Sequence, residues 1–87
     1  MTSKQQIRLI RRPEVLRVSG FSKSTLYNKI SDSLFCPPIA IGVRAVGYID
    51  YEVQEVLRAM VEEKSPDQIK CLVSRLIQQR KPLNLFC

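Results

Sequence analysis

Few side chains in this sequence could do covalent or acid–base chemistry, and those few are scattered. There is no histidine, so no side chain has an ordinary pKa near neutrality. Cys36, Cys71 and Cys87 share no close spacing, and with histidine absent they do not form a zinc-ligand pattern. A cysteine nucleophile would want a base partner that the sequence does not supply. Glu52, Glu55 and Glu62 are expected on one solvated helix face, with no paired carboxylate site for general acid–base work. Neither enzymatic activity nor a bound cofactor is expected.

What remains is a chemistry of hydrogen bonds and fixed charge. Ser22, Ser24, Thr25 and Asn28 carry short donors and acceptors, Lys23, Tyr27 and Lys29 stand among them, and no acid interrupts the run. Short polar groups suit base edges in a major groove, and cations suit the phosphates beside it. The same residue types also populate ordinary solvent-exposed helix faces, so the pattern needs its setting. Arg44, the lone charge between Ile39 and Ile49, is placed for the DNA backbone or minor groove, unless it is a plain surface residue on a turn. Arg12 completes the set of candidate contacts.

These residues need elements to hold them. Ile7-Arg8-Leu9-Ile10 alternates as an edge strand would. Pro13 suits the first turn of a helix, where its missing N–H costs nothing. Val15, Leu16 and Val18 give that helix an apolar side, and Gly20 is its left-handed stop. Ser22 is the N-cap of a second helix, Lys23 to about Ser31. Two short helices joined through Ser19-Gly20-Phe21 make a helix-turn-helix. At 100° per residue Leu26 and Ile30 fall on the buried side, Ser24, Thr25 and Asn28 opposite them, and Lys23, Tyr27 and Lys29 on the flanks.

Phe35-Cys36-Pro37-Pro38 breaks any helix, and the β-branched residues either side of a Gly42 to Ala45 turn predict a small hairpin. Asp50 is expected to cap a third helix, about Tyr51 to Glu63, with Val53, Val56, Leu57, Met60 and Val61 as its core stripe. Ser65 and Pro66 open a fourth helix whose stripe is Ile69, Leu72, Val73, Leu76 and Ile77. That stripe either closes over the core or pairs with a second subunit. Leu83, Leu85 and Phe86 in the tail are expected to be exposed and could meet a partner.

Charge segregates along the 87 residues. From Met1 to Tyr48 eight Lys or Arg face two acids, 8 − 2 = +6, whereas from Ile49 onward six bases balance six acids. The whole net charge of +6 therefore lies in the first half, as a polyanion-facing module requires and a uniformly solubilising charge does not. Single-stranded RNA would favour an aromatic platform that is missing. No signal peptide or membrane span is predicted, and three free thiols point to the reducing cytoplasm.

The fold expected is mainly α with a small β-hairpin: a winged helix-turn-helix plus an additional C-terminal helix. Residues 1–64 would form the DNA-binding domain, and residues 65–87 a helix and tail packed on the core or mediating oligomerisation. The alternative is a small phage protein that modulates a host protein through its C-terminal helix.

From Leu9 to Leu57 the chain resembles the AlpA family of short phage and prophage regulators, related to excisionases and more distantly to MerR-type winged helix-turn-helix proteins. The resemblance is carried by Glu14-Val15-Leu16 and Gly20-Phe21-Ser22-Lys23-Ser24-Thr25-Leu26-Tyr27. Phe35, Pro38-Ile39, Ile41 through Tyr48, and Glu52-Val53 follow in the family's order. Ser33 stands where the family would have Gly, Cys36 where Pro is common, Tyr48 for a frequent Trp, and Ala40 for a frequent base. The resemblance implies binding to double-stranded DNA at a promoter or attachment site, as an excisionase, as a regulator of the integrase gene, or as both. It implies Ser22, Lys23, Ser24, Thr25, Tyr27 and Asn28 as the reading surface and Arg44 as the wing contact. An integrase partner and a homo-oligomer on DNA are further expectations.

Overall fold

Pro13 and Gly20 bracket the first helix, α1 (Arg12–Ser19), in the computed structural model, which describes residues 7–80. The helix begins one residue before Pro13, leaving the proline in the first turn, where a missing N–H is harmless. Gly20 adopts φ 77° and donates its N–H to the Leu16 carbonyl at 2.8 Å, so it ends α1 as its type predicts. Ser22 then starts α2 (Lys23–Ser31), its hydroxyl accepting the Thr25 N–H at 3.1 Å.

The end of α2 explains one departure from the family pattern. Ser33 lies at φ 63°, with its N–H on the Ile30 carbonyl and the Leu34 N–H on the Lys29 carbonyl at 2.8 Å. That is a Schellman ending, whose left-handed position favours glycine. The third helix, α3 (Asp50–Val61), closes the same way, with Glu63 at φ 60°.

Three short strands, β1 (Leu9–Ile10), β2 (Ile39–Ala40) and β3 (Val46–Ile49), form an antiparallel sheet of order β1-β3-β2. Leu9 pairs with Ile49 and Ile10 with Tyr48, while Ile39 pairs with Gly47 and Ala40 with Val46. The Ile41 N–H reaches the Ala45 carbonyl at 2.9 Å and closes the hairpin, leaving Gly42 to Arg44 at its tip.

Two expectations for α3 are corrected. Asp50 does not cap the helix but is its first residue. Its backbone N–H is taken by the Arg8 carbonyl at 2.8 Å, so the strand pairing runs directly into the helix, and its carboxylate faces Arg8 at 3.7 Å. Val61 is 81% exposed rather than in the core. The buried positions are Glu52, Val53, Val56 and Ala59. At 100° per residue Val61 falls nearly opposite their centre.

Ser65 and Gln68 make a complete capping box at the start of α4 (Pro66–Gln79). Ile69, Val73 and Leu76 of α4 share one core with Val15 of α1, Leu26 of α2, Phe35, Tyr48 of β3, and Val53 and Val56 of α3. The α4 stripe is thus buried within its own chain. The molecule is a winged helix-turn-helix with an added C-terminal helix. Leu83, Leu85 and Phe86 lie outside the described residues.

Candidate nucleic-acid interface

The candidate reading helix is oriented by what it buries. Leu26 is fully enclosed and Ile30 is half-buried, so Ser24, Tyr27 and Asn28 face outward and Thr25 is half-buried. Phe21, just before the helix, packs edge-on to Phe35 with ring centroids 6.0 Å apart and locks the turn to the core. Lys29 is half-buried with its ammonium 5.6 Å from the Phe21 ring, and Lys23 is exposed.

Not every polar group on this face is free. The Ser22 hydroxyl accepts the Thr25 N–H and donates to Thr25 Oγ1 at 2.9 Å, so these two side chains hold each other and the helix start. Ser24 and Asn28 make no such internal bond among the described residues.

Two of the expected contacts are brought together. Arg12 Nη1 donates to the Tyr27 hydroxyl at 2.8 Å, and its guanidinium lies 5.9 Å from the centre of the same ring. Tyr48 of β3 belongs to this neighbourhood. Burial pushes its phenol up, the Arg12 guanidinium pulls it down, and Tyr27 pushes it up. One cluster therefore ties α1, α2 and the wing strand. Arg44 is exposed at the hairpin tip, and no hydrogen bond or ion pair among the described residues joins it to α2.

The electrostatics separate the halves. Among the described residues Arg8 pairs with Asp50 and Arg17 with Glu14, but Arg11, Arg12, Lys23, Lys29 and Arg44 face no carboxylate. By contrast Arg58, Lys64 and Arg75 share one groove between α3 and α4 with Glu55, Glu62 and Asp67. Arg58, Lys70 and Arg75 also make no ion pair among the described residues, but six acids from Asp50 onward balance the bases there, whereas Glu14 and Asp32 are the only acids before Ile49, so the positive excess lies on the helix-turn-helix and wing.

One important residue was misplaced by the sequence reading. Glu52 does not belong to a solvated acidic face but is 1% exposed. Arg80, just beyond α4, binds it with two prongs, Nε to Oε2 at 2.8 Å and Nη2 to Oε1 at 2.6 Å, and donates to the Pro37 carbonyl at 2.8 Å. A buried carboxylate requires such a partner. The signal existed in part: Glu52 stands four residues before Val56 and seven before Ala59, on the core stripe. Arg80, 28 residues away, had no signal. Beside this pair the Cys36 thiol is pushed up to about 12, by burial first and then by the Glu52 carboxylate, with Arg80 opposing. It is a neutral core group rather than a nucleophile.

Among the described residues no three metal-ligating side chains gather, and no helix is long and apolar enough to cross a membrane. Residues 8–69 match the family described as Prophage CP4-57 regulatory protein (AlpA). The chain is similar to the DNA-binding transcriptional activator AlpA of Escherichia coli (strain K12), with 29% identity over 63 residues. That alignment covers 66% of this chain and 90% of the relative. No solved structure matches.

Proposed function

Since this chain belongs to the AlpA family of prophage regulatory proteins, we propose that it binds double-stranded DNA sequence-specifically and regulates genes of a mobile element. The observation that carries this reading is the positive excess on the helix-turn-helix and hairpin, where Arg11, Arg12, Lys23, Lys29 and Arg44 make no ion pair among the described residues and only Glu14 and Asp32 are acidic. Ser24 and Asn28 read base edges, helped by Tyr27, Thr25 and Ser22. Lys23, Lys29, Arg12 and Arg44 hold phosphates. The target is a promoter or attachment site, and the output is transcription of the integrase gene, excision with the integrase, or both. Both outputs follow from one act of binding, without catalysis and in the cytoplasm. A role exerted on a host protein through α4 draws less support, because Ile69, Val73 and Leu76 are used in the core.

Fluorescence anisotropy against a duplex from the element's own promoter or attachment region tests this. Affinity should fall steeply with salt, with a log–log slope of roughly −0.9 for each phosphate neutralised. A flat salt response, or equal affinity for unrelated duplexes, sinks the proposal.

A further inference from the structure

α3 and α4 are joined through residues 62–65 and run back along each other, leaving a groove of ≈ 580 Å³ between them. Three bases and three acids border it, so its net charge is zero. Glu62 meets Lys64 at 3.8 Å, but Asp67, Arg58 and Arg75 make no ion pair among the described residues. The charges are ordered along α4. Asp67, Cys71 and Arg75 stand at i, i+4 and i+8, all exposed on one helix face, with acid and base about 12 Å apart along the axis. Glu62 stands beside Asp67 at the turn end, whereas Arg75 shares the far end with Tyr51 and Gln79. Ala59, Cys71 and Leu72 fall midway between the two ends. A surface that runs from acid to base about a fixed centre is its own complement under a two-fold rotation.

We propose that this groove binds the same groove of a second copy of the chain, the two α4 helices lying antiparallel and crossing at Cys71. Arg75 of each copy then meets Asp67 and Glu62 of the other, at both ends at once. Ala59, Cys71 and Leu72 meet at the centre, an apolar middle inside a charged rim. A parallel arrangement would set Asp67 against Asp67 and Arg75 against Arg75, so charge selects the antiparallel one. A polyanion gains no net attraction in a groove of zero net charge, and a partner of one charge sign would be repelled along half the rim. A second copy satisfies both halves. The contact is independent of the DNA-binding reading, because Arg12, Lys23, Ser24, Asn28 and Arg44 do not border the groove.

Sedimentation equilibrium of the full chain, kept reduced and without DNA, tests the contact. A monomer–dimer equilibrium should appear and weaken as salt rises. Asp67→Arg alone and Arg75→Asp alone should each raise the dissociation constant about tenfold, and the two together should restore it. Both positions are exposed, and circular-dichroism melts check that each variant is folded. With Cys87→Ser, Cys71 is the exposed thiol beside the buried Cys36. Mild oxidation should then link two chains through Cys71, with yields that fall in the single variants and recover in the double one. A chain still monomeric at about 1 mM overturns the proposal and leaves the groove to a different protein. So does a dimer that the single exchanges do not weaken, or that the double exchange does not restore.

Discussion

Arg12 and Arg80, one in each half of the molecule, are held in opposite ways. Arg12 rests against the hydroxyl and ring of Tyr27, a neutral partner, so its charge is oriented without being cancelled. Arg80 closes on the buried carboxylate of Glu52 and on the Pro37 carbonyl, so its charge is cancelled inside the fold. The same residue type is an external charge in one place and an internal tie in the other. The partner decides which, and the contrast extends to the halves themselves. The helix-turn-helix keeps cations without counter-ions, whereas α3 and α4 interleave theirs with acids.

The contrast breaks if the two arginines prove interchangeable. Arg80→Ala leaves Glu52 buried without a partner and should cost about 3–5 kcal/mol in urea denaturation. Arg12→Ala should cost only about 0.5–1 kcal/mol of stability while weakening binding to every duplex. Equal losses in both assays would erase the distinction.

Within the reading face, Asn28→Ala should reduce discrimination at one base position by about 1–3 kcal/mol in competition binding. Lys23→Ala and Lys29→Ala should instead weaken all duplexes alike and lower the salt slope by about 1. Lys23 gives the cleaner result, because Lys29 also packs over Phe21. Identical behaviour of the Asn28 and Lys23 variants would place the reading face elsewhere.

The Cys36–Glu52–Arg80 junction should also make stability depend on alkaline pH. The folded Cys36 thiol titrates at about 12 against 9.0 ordinarily, so the unfolded state ionises first as pH rises. Its contribution is fully present below pH 9 and is lost progressively toward about 12. Tyr48, raised from 10.0, acts in the same direction. Cys36→Ala should flatten the early part of the decline in a pH series of thermal melts, and an unchanged profile would remove Cys36 from the account. One substitution is expected to give a small gain. Ser33→Gly relieves a left-handed residue and should stabilise by about 1 kcal/mol, with DNA preference unchanged.

Much of the fold was legible because its signals are local. Gly20, Ser22 and Ser65 each mark a helix end through a bond within four residues, and Pro13 marks one through the N–H it lacks. The stripe of α4 needed only its period. Val61 failed because the apolar stripe was extended past the arc that α3 buries, whereas two other readings failed because a neighbour in space decided. Asp50 lost its capping role to the carbonyl of Arg8, across the sheet. Glu52 was read with the surface acids because its partner is far along the chain.

For the candidate site, the sequence alone determined its inventory: a polar, acid-free helix behind a Gly-containing turn, a hairpin with one arginine at its tip, and a charge excess confined to the first half. Backbone hydrogen bonding and helical period act over a few residues, and composition travels with the chain, so these needed no coordinates. Only the tertiary structure decided which cations stay free. Arg12 meets Tyr27 across 15 residues and Arg80 meets Glu52 across 28. Such pairings depend on how the helices pack, and burial then turns proximity into either an oriented charge or a cancelled one.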